Sequence, residues 1–286
     1  MKYINLVNVS KGTIGYKRVQ YPDNQQDIII NEEVTDNPGP VTIKSRFSKW
    51  SDYEIIACTV SALRRLNYKE IHLYCPYLMG GRSDRDFSRG KGGTSYLLDV
   101  VKPAIDLLGF QTITVIDPHS DVMGAILNLR PKDNLELVAW SLLDMNIKDI
   151  CIVSPDAGAS KKIYDLLKDG GIETELIIAG KHRDVTTGSL LGFDVPVLPG
   201  QVNKPLVWID DICDGGGTFI GEAKEADKNG HLGDKYLIIT HGIFSQGFAA
   251  LTKYFDGIYS TNSYSSFGDI AGNNEERTLL KQMDIF

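Results

Sequence analysis

The feature that most narrows the fold of this chain is a set of short, nearly continuous apolar runs, each stopping abruptly at a polar cluster. The clearest are Ile71-His72-Leu73-Tyr74-Cys75, Thr112-Ile113-Thr114-Val115-Ile116, Ile150-Cys151-Ile152-Val153, Glu175-Leu176-Ile177-Ile178, Leu206-Val207-Trp208-Ile209 and Tyr236-Leu237-Ile238-Ile239-Thr240. Their brevity and richness in branched side chains predict strands buried on both faces. Between them, residues 52–66 place Ile55, Ile56, Thr59, Val60, Leu63 and Leu66 on one helical stripe, and residues 135–145 do the same with Leu135, Val138, Leu142 and Met145. Strand and helix alternate, which predicts an α/β fold with mainly parallel sheets.

A chain of 286 residues suggests about two domains at roughly 150 residues each. The polar, proline-containing stretch 128–134 is the best boundary, giving units 1–132 and 133–286. Residues 272–286 are polar and then bring Leu279, Leu280, Met283 and Phe286, the pattern of a short docking helix. With 30 Lys+Arg against 37 Asp+Glu the formal charge is −7, so nothing draws the whole chain to nucleic acid or anionic lipid, and any phosphate site needs locally clustered bases. Cys58, Cys75, Cys151 and Cys213 lie far apart with no C-x-x-C pair, which reads as reduced, mostly buried thiols. No run approaches the roughly 18 apolar residues of a membrane span, and the N-terminal apolar stretch is too short for a signal peptide. The expectation is a soluble, cytoplasmic protein without nucleic-acid or membrane partners.

The polar clusters carry the chemistry. Ile116 runs into Asp117-Pro118-His119-Ser120, Val153 into Ser154-Pro155-Asp156-Ala157-Gly158, Ile209 into Asp210-Asp211-Ile212-Cys213-Asp214-Gly215-Gly216-Gly217-Thr218, and Thr240 into His241-Gly242. Ligands of open α/β sheets bind beyond the carboxyl ends of strands, so these clusters are expected to line binding sites. In the stretch 209–218, glycines allow backbone N–H groups close to a phosphate, Thr218 adds a hydroxyl, and the helix that follows favours an anion at its N-terminus. Asp210 and Asp211 cannot attract a phosphate; they suit vicinal hydroxyls of a ribose or a magnesium ion. No Lys precedes Thr218, so this is not a Walker-type loop.

This Asp-Asp loop resembles the ribose-phosphate loop of type I phosphoribosyltransferases. Arg82-Ser83-Asp84-Arg85, Asp117-Pro118-His119, the stretch 153–158 and Thr240-His241-Gly242-Ile243-Phe244-Ser245 narrow the likeness to ribose-phosphate pyrophosphokinases, over residues 20–265. The resemblance implies two phosphoribosyltransferase-like domains, the first binding ATP, and transfer of the β,γ-diphosphoryl group of ATP to the anomeric hydroxyl of ribose 5-phosphate, releasing AMP in nucleotide biosynthesis. It implies substrate binding by Asp210, Asp211, Asp214, Gly215, Gly216, Gly217 and Thr218. It further implies Mg2+ held by His119 and Asp156, with His119 among the catalytic residues. Lys181 and Arg183, in a segment 179–188 resembling the family's mobile catalytic loop, would neutralise charge on the transferred group. Arg82, Ser83 and Asp84 resemble the ATP-contacting triplet, with Ser83 replacing the usual Gln; Arg85, Arg89 and Lys91 either meet phosphates or pair with nearby acids. Tyr21, Asp23 and Gln25 resemble an adenine-binding loop given by a neighbouring subunit, which implies a homo-oligomer.

The chain departs from the family where Gly215 stands for the usual Thr and Gln25 for Glu. A missing hydroxyl and added space leave room for a second acceptor, a ribose with a larger 5′-substituent such as ADP-ribose, which would tie the chain to NAD metabolism. A phosphoribosyltransferase leaves His119 and the Arg82-Ser83-Asp84 triplet unexplained. A catalytically inactive regulatory paralogue would lack Lys181, Arg183 or His119, and all are present.

Overall fold

The apolar runs are strands, and they are divided between two units. The computed structural model describes residues 2–84, 91–183, 190–270 and 274–286. The first unit is Met1–Lys132 with Phe286, and the second is Asp133–Ile285.

The first unit contains β1 (Lys2–Asn5), β2 (Tyr16–Gln20), β3 (Gln26–Ile30), β4 (Val41–Lys44), α1 (Trp50–Arg65), β5 (Ile71–Tyr74), α2 (Lys102–Leu108), β6 (Thr112–Ile116), α3 (Asp121–Leu127) and β7 (Leu129–Lys132). Its main sheet runs β1-β4-β5-β6-β7, all parallel, while β2 and β3 form a separate antiparallel hairpin. Helix α1 starts where the Asp52 carboxylate accepts the backbone N–H groups of Ser48 (2.9 Å) and Lys49 (3.2 Å), satisfying donors that a helix N-terminus leaves over. Its stripe of Ile55, Ile56, Val60 and Leu63 joins Val41, Ile43, Leu73 and Val115 in one core.

Burial on both faces does not hold for this sheet. In β4, β5 and β6 buried and half-buried residues alternate, leaving Thr42, His72, Tyr74, Thr112 and Thr114 half-buried. A period of two marks one face on the core and one partly wet; the Thr and His inside those runs were its signature. The polar stretch expected to be a boundary holds β7, whose Pro131 pairs with Val115 at the edge of the sheet, where a missing N–H is tolerated.

The second unit contains α4 (Leu135–Met145), β8 (Cys151–Ser154), α5 (Ala157–Asp169), β9 (Glu175–Ile178), β10 (Gly180–Arg183), β11 (Leu190–Asp194), β12 (Leu206–Cys213), α6 (Gly217–Lys228), β13 (Lys235–Gly242), β14 (Gly257–Thr261), α7 (Phe267–Ile270), α8 (Asn274–Leu279) and β15 (Leu280–Met283). Its six-stranded sheet, ordered β15-β14-β13-β12-β8-β9, is parallel throughout. Here both faces are buried. Ile152, Val207, Ile209 and Ile238 pack with Leu137, Val138, Ile163, Leu166 and Leu167 of α4 and α5. The alternate residues Val153, Trp208, Leu237 and Ile239 pack with Phe219, Ala223 and Ala226 of α6. The chain does not end in a single docking helix: Leu280 and Met283 belong to β15, which pairs with β14 and so satisfies the edge of that strand.

The sheet winds from β8 outward to β9 in one direction and from β12 through β13 and β14 in the other. The change of direction lies between β8 and β12, where a crevice opens at the carboxyl ends of an α/β sheet. All four cysteines are free, with Cys75, Cys151 and Cys213 buried and Cys58 half-buried. Among the described residues no helix is long and apolar enough to cross a membrane.

Candidate functional site

In the second unit the predicted site residues collect at this change of direction. Strand β12 is longer than its apolar run, because its pairing with β13 continues through Ile212 opposite His241 and Cys213 opposite Gly242. Asp210 and Asp211 therefore lie within a paired strand rather than in a loop. The Asp211 N–H donates to Asp210 Oδ1 at 2.9 Å. Burial and the neighbouring Asp211 carboxylate raise the Asp210 pKa well above the usual range. In its protonated form Asp210 donates while Asp211 accepts, a pattern complementary to vicinal hydroxyls. Burial also pushes the Cys213 thiol up to about 12, so this thiol is inert beside the acids.

Beyond Cys213 the chain is pinned from one side. Ile243 N–H donates to the Cys213 carbonyl at 2.9 Å, Ser245 N–H to the Asp214 carbonyl at 3.0 Å, and Ser245 Oγ–H to Asp214 Oδ1 at 2.7 Å. Gly216 caps α6 with φ +79°, and a Cβ there would lie 2.9 Å from Leu251 Cδ2. Both its backbone conformation and its contact demand glycine. Nothing stands within 4 Å of a Cβ built on the exposed Gly217, which with Thr218 opens the first turn of α6, the end of a helix that favours an anion. Gly215 is different: a Cβ there would come 3.2 Å from Cγ of the exposed Gln246.

At the end of β8, Asp156 caps α5, its Oδ1 accepting the Ala159 N–H at 3.0 Å. Lys181 Nζ donates to Asp156 Oδ2 at 3.1 Å. Burial works to raise the Asp156 pKa, but the Ala159 N–H, Lys181 and the Gly158 N–H outweigh it and hold the carboxyl below its ordinary value. Lys181 and Arg183 lie on a strand, not in a loop: β10 pairs antiparallel with β11, with a bulge between His182 and Arg183. The Arg183 side chain, and residues 184–189 of the segment read as a catalytic loop, lie outside the described residues.

In the first unit, the turn Gly81–Ser83 after β5 sits beside the β6–α3 connection. A Cβ on Gly81 would approach Met123 Sδ at 3.3 Å and His119 Cβ at 3.9 Å, and Ser120 Oγ–H donates to the buried Asp84 carboxylate. Arg82, Ser83, Asp84 and His119 are thus neighbours, with Arg82 exposed and Ser83 half-buried. Arg85 and Arg89 lie outside the described residues, and Lys91 is exposed. Tyr21, Asp23 and Gln25 sit together on the tip of the β2–β3 hairpin, where Tyr21 N–H donates to the Gln25 carbonyl at 2.9 Å and Gln25 N–H to Asp23 Oδ1 at 3.1 Å. Tyr21 is 45% exposed there.

Magnesium keeps several waters and is commonly held by one or two carboxylates together with nucleotide phosphates. Among the described residues no group of three or more His, Cys, Asp or Glu gathers as a protein cage, and Asp156 offers one carboxylate already carrying a cation. The residues fit a nucleotide-borne ion and not a caged one.

One charged residue of this region escaped the sequence reading. Glu222 is fully buried on α6, with Oε2 accepting the Trp208 indole N–H at 3.0 Å. Burial pushes its carboxyl up to about 8 against the lowering effect of Lys181. The signal was present: Phe219, Glu222, Ala223 and Ala226 fall on one inward helical stripe, a position where a carboxylate is out of place.

An acid-bearing strand runs into a glycine-capped helix at the turning point of a parallel sheet, the place where open α/β folds bind their ligands. No protein-family model matches the chain. A curated protein named ribose-phosphate pyrophosphokinase from Mycoplasmopsis pulmonis is 28% identical over 213 residues, covering 73% of this chain and 64% of that protein. Another of the same name, from Rhizobium meliloti, is 28% identical over 253 residues, covering 86% of this chain and 77% of that one. The crystal structure of a phosphoribosylpyrophosphate synthetase from Mycobacterium smegmatis shares the fold with a TM-score of 0.76 at 16% identity, over 100% of this chain and 95% of that one. The chain is similar in sequence to proteins named ribose-phosphate pyrophosphokinase and shares the fold of the phosphoribosylpyrophosphate synthetase structure.

Proposed function

We propose that the chain is an ATP-dependent pyrophosphokinase that transfers the β,γ-diphosphoryl group of ATP to the anomeric hydroxyl of ribose 5-phosphate, giving phosphoribosyl pyrophosphate and AMP. The observation that carries the reading is the β12–α6 connection, in which a paired Asp210-Asp211 strand end leads through Gly216 at φ +79° to the N-terminus of a helix. Asp210, Asp211 and Asp214 receive the sugar hydroxyls, while the N–H groups of Gly215, Gly216 and Gly217 and the Thr218 hydroxyl receive the 5-phosphate. ATP belongs to the first unit, with Arg82, Ser83, Asp84 and His119 near the phosphates and Tyr21, Asp23 and Gln25 reading adenine, the hairpin coming from a second copy in a homo-oligomer.

In the transfer the anomeric oxygen bonds to the β-phosphorus as the bond from that phosphorus to the oxygen bridging toward the α-phosphorus breaks. AMP leaves with the bridging oxygen, and the anomeric proton is released. Magnesium bound with the nucleotide phosphates would supply charge neutralisation, and His119 is the residue of the first unit that would hold it. Lys181, and Arg183 on the same strand, meet the charge that develops on the transferred group and on AMP, an effect that counts chiefly in the transition state. Incubation with ATP, Mg2+ and ribose 5-phosphate, followed by 31P NMR, should show AMP and the new diphosphate ester in equal amounts; AMP without that ester contradicts the reading.

A second acceptor is favoured by one observation. Gly215 brings no hydroxyl to the loop, and a Cβ there would meet Gln246 Cγ at 3.2 Å and Ser245 Oγ at 3.7 Å, so the position puts no side chain of its own in the way of a ribose with a bulky 5′-substituent such as ADP-ribose. Parallel assays with ADP-ribose decide it: no product with that compound eliminates this acceptor.

A further inference from the structure

Gly215 owes its lack of a side chain to a neighbour and not to its backbone. Its φ lies outside the left-handed region that the adjacent Gly216 occupies at +79°, so the chain itself would accept a side chain there. What fills the space is the connection between β13 and β14. Among the described residues, and apart from its chain neighbours, the atoms within 4 Å of a Cβ on Gly215 are Gln246 Cγ at 3.2 Å and Ser245 Oγ at 3.7 Å. That connection is held firmly against the loop. Ile243 and Phe244 both donate their N–H groups to the Cys213 carbonyl, at 2.9 and 3.2 Å, and Gly247 N–H donates to the Phe244 carbonyl at 2.8 Å, so Gln246 stands at the tip of a closed turn. Phe244 adopts φ +48°, uncommon for a residue with a side chain, and its buried ring packs against Phe248 and Phe267 at centroid distances of 4.5 and 5.8 Å. A backbone in so sparsely populated a region persists where its surroundings over-determine it, and such places cluster at ligand sites.

Of the two side chains beside Gly215, one has donors to give. Ser245 commits its single proton to Asp214 Oδ1 at 2.7 Å, whereas the exposed Gln246 carries a carboxamide two bonds beyond Cγ, with two N–H donors. We propose that Gln246 is a substrate-recognition residue of the β12–α6 loop, whose carboxamide donates to the 5′-phosphoryl group of the acceptor and stands in for the hydroxyl that Gly215 does not bring. The proposal rests on the pyrophosphokinase reading of this site and names a residue from outside the loop that reads its substrate. The carboxamide is neutral, so it recognises phosphoryl oxygens by hydrogen bonding and not by charge. It suits a phosphomonoester and the first phosphate of a diphosphate-linked ribose alike.

The test is binding of ribose 5-phosphate to the whole chain, with Mg2+ and a non-hydrolysable ATP analogue present, by isothermal titration calorimetry. Gln246→Met keeps the stem beside Gly215 and removes the amide; it should weaken binding about tenfold, the size of one exposed hydrogen bond to a charged group. Gln246→Gly should lose as much, and adding Gly215→Thr should return the affinity to within about threefold of the unmodified protein, because the hydroxyl then comes from the loop itself. Binding of the ATP analogue, titrated alone, should stay within about twofold throughout. An unchanged affinity for ribose 5-phosphate in Gln246→Met overturns the proposal, as does an equal loss of the ATP analogue or a loss in Gln246→Gly that Gly215→Thr leaves unrepaired. In each of these cases binding by the unmodified protein leaves the acceptor reading standing. An unmodified protein that binds neither ribose 5-phosphate nor ADP-ribose defeats that reading, and this proposal falls with it.

Discussion

Replacing Glu222 by Gln should change how the stability of the second unit depends on pH, and the size of the change follows from burial. The carboxyl is pushed from its ordinary 4.5 up to about 8, and at about 1.4 kcal/mol per pH unit this is worth about 5 kcal/mol of folding free energy. A raised acid pKa means that the folded chain holds a proton the unfolded chain has lost. The contribution is fully present below pH 4.5, declines by about 1.4 kcal/mol for each pH unit above that, and is gone above about pH 8. Gln does not titrate, so the stability difference between the two proteins isolates this one group. Urea unfolding at half-unit steps from pH 5 to 9 measures it. Trp50 is replaced by Phe in both proteins, so that fluorescence comes from Trp140 and Trp208 in the second unit. The difference should tilt toward Glu222→Gln as pH rises and flatten above pH 8. A difference independent of pH would show that Glu222 does not hold a proton in the fold, and would refute the reasoning from burial.

Lys181→Ala should lower kcat by about 10²- to 10³-fold while KM for either substrate moves little, as for a group acting in the transition state; steady-state kinetics with both substrates varied checks it. Gly216→Ala should destabilise the second unit by about 1–3 kcal/mol, since the left-handed backbone and the contact with Leu251 both resist a methyl group, and denaturant unfolding reads the loss. Tyr21→Ala should raise KM for ATP by at least about fivefold and leave that for the sugar unchanged if base stacking contributes its usual ~1–3 kcal/mol. Asp156→Ala removes a helix cap worth about 1 kcal/mol. Because its native pKa is depressed, the part of its contribution that depends on charge is present above about 3.8 and lost as pH falls through the lower folded value, so the variant and the unmodified protein should converge in acid melts.

What the sequence made legible was set by which interactions are local. Apolar runs and helical stripes located the strands and helices, because periodicity is written in neighbouring residues. Strand lengths were less visible: β12 runs on through Asp210 and Asp211 since β13 continues to pair with it, and pairing across the sheet leaves no mark on one strand's own polarity. The same limit hid β7 behind Pro131 and β15 within a segment that reads as helix. Of the site, glycines and acids at strand ends could be read directly, whereas the Lys181–Asp156 ion pair joins residues 25 apart in sequence and depends on the tertiary fold. Glu222 lay between these cases, visible as a charge on an inward stripe but unexplained until Trp208 came beside it.

Strand β7 has a consequence for how copies of this chain meet one another. A sheet edge with a full row of free backbone groups invites a strand from a neighbour, and chains so joined grow without limit. Here the outermost strand of the first sheet is short and carries Arg130, Pro131 and Lys132, all exposed. Proline withdraws a donor, and the two cations repel a second copy of the same edge. That edge is closed to sheet-to-sheet growth, and crowding of the chain at high concentration does not begin there.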